Sequence, residues 1–83
     1  MNNMNYNITS ASAMRIAIEY AGSAFEGTSH RHAAFSDGLY EISFRTMFMA
    51  YEAYVDAQSG EVLGFNFEPV MPNEKHEGLR RAA

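Results

Sequence analysis

The sequence predicts an α+β domain, with one amphipathic helix packed on one face of an antiparallel sheet of three to four strands. Three observations carry this reading. Apolar residues recur at spacings of three and four between Thr9 and Ala21, alternation with a period of two follows in Tyr40 to Phe44 and Tyr51 to Val55, and Gly-containing polar turns flank the alternating runs. The 83 residues suffice for one domain at most, and the 47% hydrophobic content with six Phe and five Tyr suits a compact core built without disulfides.

Taken in order, residues 1–7 hold four Asn and no periodicity, and are read as a flexible arm. A helix over about 9–21 follows. Thr9 or Ser10 can cap it, Ile8 can staple its start, and Gly22 stands where a left-handed residue would end it. Its apolar stripe is Ala13, Ile16, Ala17, Tyr20 and Ala21, flanked by Met14 and Ile18, with Ser12, Arg15 and Glu19 opposite. The alanines would let the helix approach a sheet closely. Thr28 to Phe35 alternates weakly and reads as an edge strand.

After the Ser36-Asp37-Gly38 turn, Tyr40, Ile42 and Phe44 alternate with Glu41, Ser43 and Arg45, a strand with one wet face. A further strand starts near Met49. Between the two stands Thr46-Met47-Phe48-Met49-Ala50, with no Gly, Pro, Asn or Asp. Either the strands turn there without a favoured turn residue, or an apolar tip is covered by something. Asp56 to Gly60 is a turn in which Asp56 can accept backbone N–H bonds and Gly60 can take a positive φ. Val62, Leu63 and Phe65 then resume an extended partner strand, and Pro69 and Pro72 end regular pairing. The predicted divisions are therefore an arm at 1–7, a domain at 8–67 and a mobile charged tail at 68–83. The predicted core is Ile8, Ala13, Ile16, Ala17, Tyr20, Tyr40, Ile42, Phe44, Tyr51, Val55, Leu63 and Phe65.

Several of these stretches carry a family resemblance. A tyrosine-rich strand followed by Val55-Asp56-Ala57, a polar pair and Gly60-Glu61-Val62-Leu63 resembles the end of a PepSY domain, a small module of secreted-metallopeptidase propeptides and bacterial envelope proteins. The Ala-rich run from Ile8 to Gly22 resembles the opening helix of that family, and Tyr40 to Phe44 its central strand. The apolar run 46–50 departs from the pattern, which places a polar or glycine-containing turn there. The resemblance covers about residues 8–65. It implies a non-enzymatic binding module that inhibits, chaperones or regulates peptidases or envelope proteins, with no catalytic residues to carry over.

Composition narrows the function classes. With no Cys there is neither a disulfide framework nor a thiolate metal site. Up to Asn73, three basic residues stand against eight acidic ones, a balance of −5 that should repel a phosphate backbone, so no nucleic-acid partner is expected. No apolar run approaches a membrane span, and no membrane insertion is expected. The run MNNMNYNITSAS has neither the basic residue nor the apolar core of a signal peptide, although the family resemblance suggests a secreted or envelope protein. The chain is then either cytoplasmic or a mature form whose leader has been removed.

Catalytic and cofactor readings find little support. His30 and His32 would share a strand face, yet the third His lies far off at position 76 and the ligand count falls short, so no metal or other cofactor is expected. No nucleophile motif and no phosphate loop is present. Glu41 and Glu52 could pair on the outer sheet face, but so small a sheet offers no deep cleft to desolvate them, and their expected role is solubility with Arg45 opposite across the strands.

The apolar tip is different. A narrow hairpin cannot bury Met47, Phe48 and Met49 together, and flexible methionines suit an adaptable contact surface. With Tyr51, Glu52 and Tyr54 nearby, these residues form the candidate protein interface. The expected partner is a protein, in the resemblance a peptidase; the alternative is a homodimer through the 47–49 tip or an edge strand.

Overall fold

The computed structural model describes residues 7–70. A helix α1 (Ser10–Tyr20) and a short 3₁₀ turn (Phe25–Gly27) precede four strands, β1 (Ser29–Ser36), β2 (Leu39–Arg45), β3 (Met49–Asp56) and β4 (Val62–Pro69). The strands form one antiparallel meander in the order β1-β2-β3-β4, so β1 and β4 are its edges. The helix lies on one face and touches all four strands, as the α+β reading predicts. β4 runs to Pro69, two residues past the predicted domain boundary, while the rest of the tail and residues 1–6 of the arm lie outside the described residues.

Local chemistry explains each boundary. Thr9 is the N-cap, and its side chain accepts the Ser12 N–H at 3.0 Å. At the other end Gly22, at φ 77°, sits in the left-handed region. Its N–H bonds the Glu19 carbonyl, and the Ser23 N–H bonds that of Ile18, which together make a Schellman cap. Asp37 and Gly38 both have positive φ (49° and 78°), the requirement of the type I′ turn that joins β1 to β2 without splaying them.

The buried face is built from cross-strand pairs. Ile42 faces Ala53, Phe44 faces Tyr51 and Tyr40 faces Val55, and Ala13, Met14, Ala17 and Ile18 of the helix pack on them. Two predicted core positions prove to be exposed. Tyr20 is 59% exposed, because the buried helix stripe centres on Met14 and Ile18 and leaves the C-terminal Tyr20 over the β4 edge, against Phe65. Leu63 is 55% exposed, because Tyr54 pairs with Gly64 while Val55 pairs with Val62. Leu63 is the extra residue of a β-bulge, so Val62 takes the inward position instead. Ile8, Ile16, Tyr40, Tyr51 and Phe65 pack against the core half-buried.

Candidate functional site

The β2–β3 connection is a two-residue turn. The Thr46 N–H donates to the Met49 carbonyl at 2.9 Å, and Met47 and Phe48 lie between them. Neither has a positive φ, so the turn is not one of the primed types that match strand twist. The strands thus turn here without a favoured turn residue, and the two side chains point off the end of the sheet. Met47 is 72% and Phe48 57% exposed, whereas Met49 is half-buried and pairs with Pro69. Beyond β4 the Val70 N–H reaches the Phe48 carbonyl at 2.7 Å, which fixes the backbone of the tip without covering its side chains.

The other candidate interface residues do not form one surface with the tip. Tyr51 is on the helix side, stacked on Phe44 with ring centroids 4.9 Å apart. Glu52 and Tyr54 are on the opposite face. Tyr54 lies across β4 over Gly64, where a Cβ would come within 3.1 Å of its Cδ2. Its ring shields backbone that Gly64 leaves bare, a structural role that also keeps it half-buried.

No family model, curated protein or solved structure matches this chain. The outer sheet face carries a shallow open concavity of about 560 Å³ lined by Ser43, Arg45, Glu52, Asn66 and Glu68, with His30 at its rim. Rows of partners cross this face: His32, Ser43, Glu52 and Asn66 in one, and Ala34, Glu41, Tyr54 and Gly64 in the next. Arg45 sits opposite Ser29 and Ala50, so neither Glu41 nor Glu52 faces it directly, a correction to the expected cross-strand charge pairing.

The histidines occupy an interrupted stretch of β1. Between Ser29 and His32 the pairing shifts, with His30 and Arg31 both opposite Phe44, and His30 adopts φ 53°. The ring of His30 is hydrogen-bonded to its neighbour Ser29 at 3.0 Å. Among the described residues no group of three or more His, Cys, Asp or Glu is placed to hold a metal ion. No described helix is long and apolar enough to cross a membrane.

The bulge sends Arg31 to the helix side, where its Nη1 donates to the Thr28 carbonyl (2.7 Å) and hydroxyl (2.9 Å) and its guanidinium lies 4.1 Å from the Phe25 ring centroid. Arg15 reaches the same ring at 4.8 Å. Such guanidinium–aromatic contacts hold the 3₁₀ turn over the β1 side of the core.

On the β4 side the helix leaves aromatics uncovered. Tyr20 meets Phe65 edge-on at 4.9 Å, and Phe65, Phe67 and Tyr51 lie within 6.2 Å of one another, with Phe67 58% exposed. Sequence reasoning did not propose Phe67 as a surface residue. The alternation of Phe65 and Phe67 past the end of the helix was the available signal.

Proposed function

We propose that this chain is a non-enzymatic protein-binding module whose contact site is the Met47–Phe48 tip. The observation that supports it is the exposure of two large apolar side chains on a turn whose backbone is held at both ends by hydrogen bonds to Met49 and Val70. An apolar tip in water is costly, and burying it against a partner recovers hydrophobic free energy at about 25 cal/mol per Å². A fixed backbone keeps the ordering cost of binding low. The PepSY-like motifs of the helix and the Asp56–Gly60 turn suggest the class of partner, a secreted metallopeptidase or an envelope protein that the module inhibits or regulates.

The test is capture from secreted and envelope fractions with the tagged parent beside a Met47→Ser, Phe48→Ser, Met49→Ser variant, followed by a peptidase assay on whatever is recovered. A peptidase held and slowed by the parent, and released by the variant, supports the reading. Equal recovery by both proteins would remove the tip as the site, and a captured peptidase with undiminished activity would remove inhibition.

A further inference from the structure

We infer that two copies of this chain pair through β4 into one continuous eight-stranded sheet, with a two-fold axis at Asn66. This goes beyond the tip reading and does not rest on it.

The backbone of β4 sets the geometry. The Val70 N–H bonds the Phe48 carbonyl, and the register Ala50↔Glu68 and Glu52↔Asn66 continues that phase, so the even-numbered residues of β4 are bonded to β3. The N–H and C=O groups of Phe65 and Phe67 then point away from the sheet, and among the described residues no strand pairs with them. The regular part of this free edge is bounded on both sides. The Leu63 bulge breaks it at one end, and Pro69, which has no N–H to give, breaks it at the other. What remains is 64–68, and its midpoint is Asn66.

A second β4, antiparallel and centred on Asn66, uses the whole of that segment. Phe65 of each copy faces Phe67 of the other, and each such pair exchanges both of its outward-pointing hydrogen bonds. The pairing is chemically self-complementary. Two Phe–Phe pairs form on the helix side, where they extend the row already made by Tyr20, Phe65 and Phe67 and cover the exposed Phe67. On the other face Asn66 meets Asn66, and Glu68 meets Gly64, so no like charges stand opposite each other. The β1 edge lacks this fit: the His30–Arg31 bulge interrupts it, and Phe35 would face the small Ala33.

The absence of cysteine gives a direct test. Asn66 would face itself at a non-hydrogen-bonded position, where Cα atoms are about 4.5 Å apart, within the span of a disulfide. In the full chain, Asn66→Cys under mild oxidation should form a covalent dimer on the order of tenfold or more faster than Ala34→Cys on the β1 edge or Phe48→Cys at the tip, since pairing raises the effective concentration of the thiol. The parent should sediment as a dimer, and Phe67→Glu as a folded monomer by circular dichroism. The Ser variant of the tip should dimerise as the parent does, even where it has lost a captured partner, which separates this inference from the tip reading. Faster cross-linking at Ala34→Cys or Phe48→Cys, a parent that stays monomeric from micromolar to millimolar concentration, or a Phe67→Glu protein that remains dimeric would each overturn it.

Discussion

The two ends of the sheet are built on opposite principles. At one end lie the Asp37-Gly38 turn and the Asp56–Gly60 turn, tied together by side-chain and backbone hydrogen bonds. Asp56 accepts the N–H groups of Gln58 and Ser59, Ser59 accepts that of Glu61, and the Asp56 N–H returns to the Glu61 carbonyl. Ala57, fully buried, donates its N–H to the Gly38 carbonyl and accepts from the Ile8 N–H, which ties both turns to the segment entering the helix. The Tyr40 hydroxyl adds a bond to the Ile8 carbonyl at 2.9 Å. At the other end a two-residue turn with no favoured turn residue exposes Met47 and Phe48. One end is closed by local and long-range hydrogen bonds; the other leaves apolar surface in solvent. That difference is the ground for the proposal that the second end meets a partner.

The largest expected effect comes from breaking the closed end. Gly60 has φ 79°, and a Cβ there would lie 3.2 Å from the Ile16 Cδ1, so Gly60→Val forces both a left-handed β-branched residue and a crowded contact. A loss of about 1–2 kcal/mol in denaturant unfolding is expected from the backbone strain alone. An unchanged midpoint would mean that the turn is not held in this conformation. Removing a single bond should cost less: Tyr40→Phe deletes only the hydroxyl on the Ile8 carbonyl, for a loss of about 0.5–1.5 kcal/mol.

Acid should loosen the same end. The backbone N–H of Ser59 holds the Asp56 carboxyl below its ordinary pKa, helped by the Ser59 side chain and the Gln58 N–H. A depressed folded-state value means that the contribution is complete above the unfolded aspartate pKa of about 3.9 and fades as pH falls through the lower folded value. Melting followed from neutral pH into acid should therefore drop further for the parent than for Asp56→Asn. Parallel curves would show that the carboxylate adds nothing specific.

The smallest effect on stability belongs to the open end. Met47→Ser with Phe48→Ser should shift unfolding by no more than about 0.5 kcal/mol, because surface changes away from packed features rarely do more. Partner capture should nevertheless be lost. A large destabilisation would instead make the tip a packed part of the fold and erase the contrast between the two ends.

Much of the architecture follows from nearest-neighbour chemistry. The Thr9 cap, the Gly22 stop, the Asp37-Gly38 turn and the alternation in Tyr40–Phe44 and Tyr51–Val55 each act within a few residues, and each appears in the fold where the sequence places it. The weak alternation of Thr28 to Phe35 was enough to suggest an edge strand, since an edge needs no buried face of its own. The candidate site was only partly readable. The apolar tip was legible from the lack of a turn residue at 46–50, but the sequence left open whether it stays exposed or folds back under the arm or the 66–72 segment; Tyr51, Glu52 and Tyr54 were grouped with it by proximity in sequence, and the pleat sends them to different faces.

By itself the sequence determined the class of fold, the start and end of the helix, two polar turns and an apolar tip, because these depend on local backbone preferences and on the period of the pattern. Tertiary structure decided which residues of that pattern face inward. One bulge at Leu63 exchanged its place with Val62, and another at His30–Arg31 carried a guanidinium onto Phe25. The helix, which ends at Tyr20, left Tyr20 and Phe67 uncovered. A bulge is a misfit between two strands, and the area a helix covers depends on where it lies across all four. Both are properties of pairs of elements, which no single stretch of sequence contains.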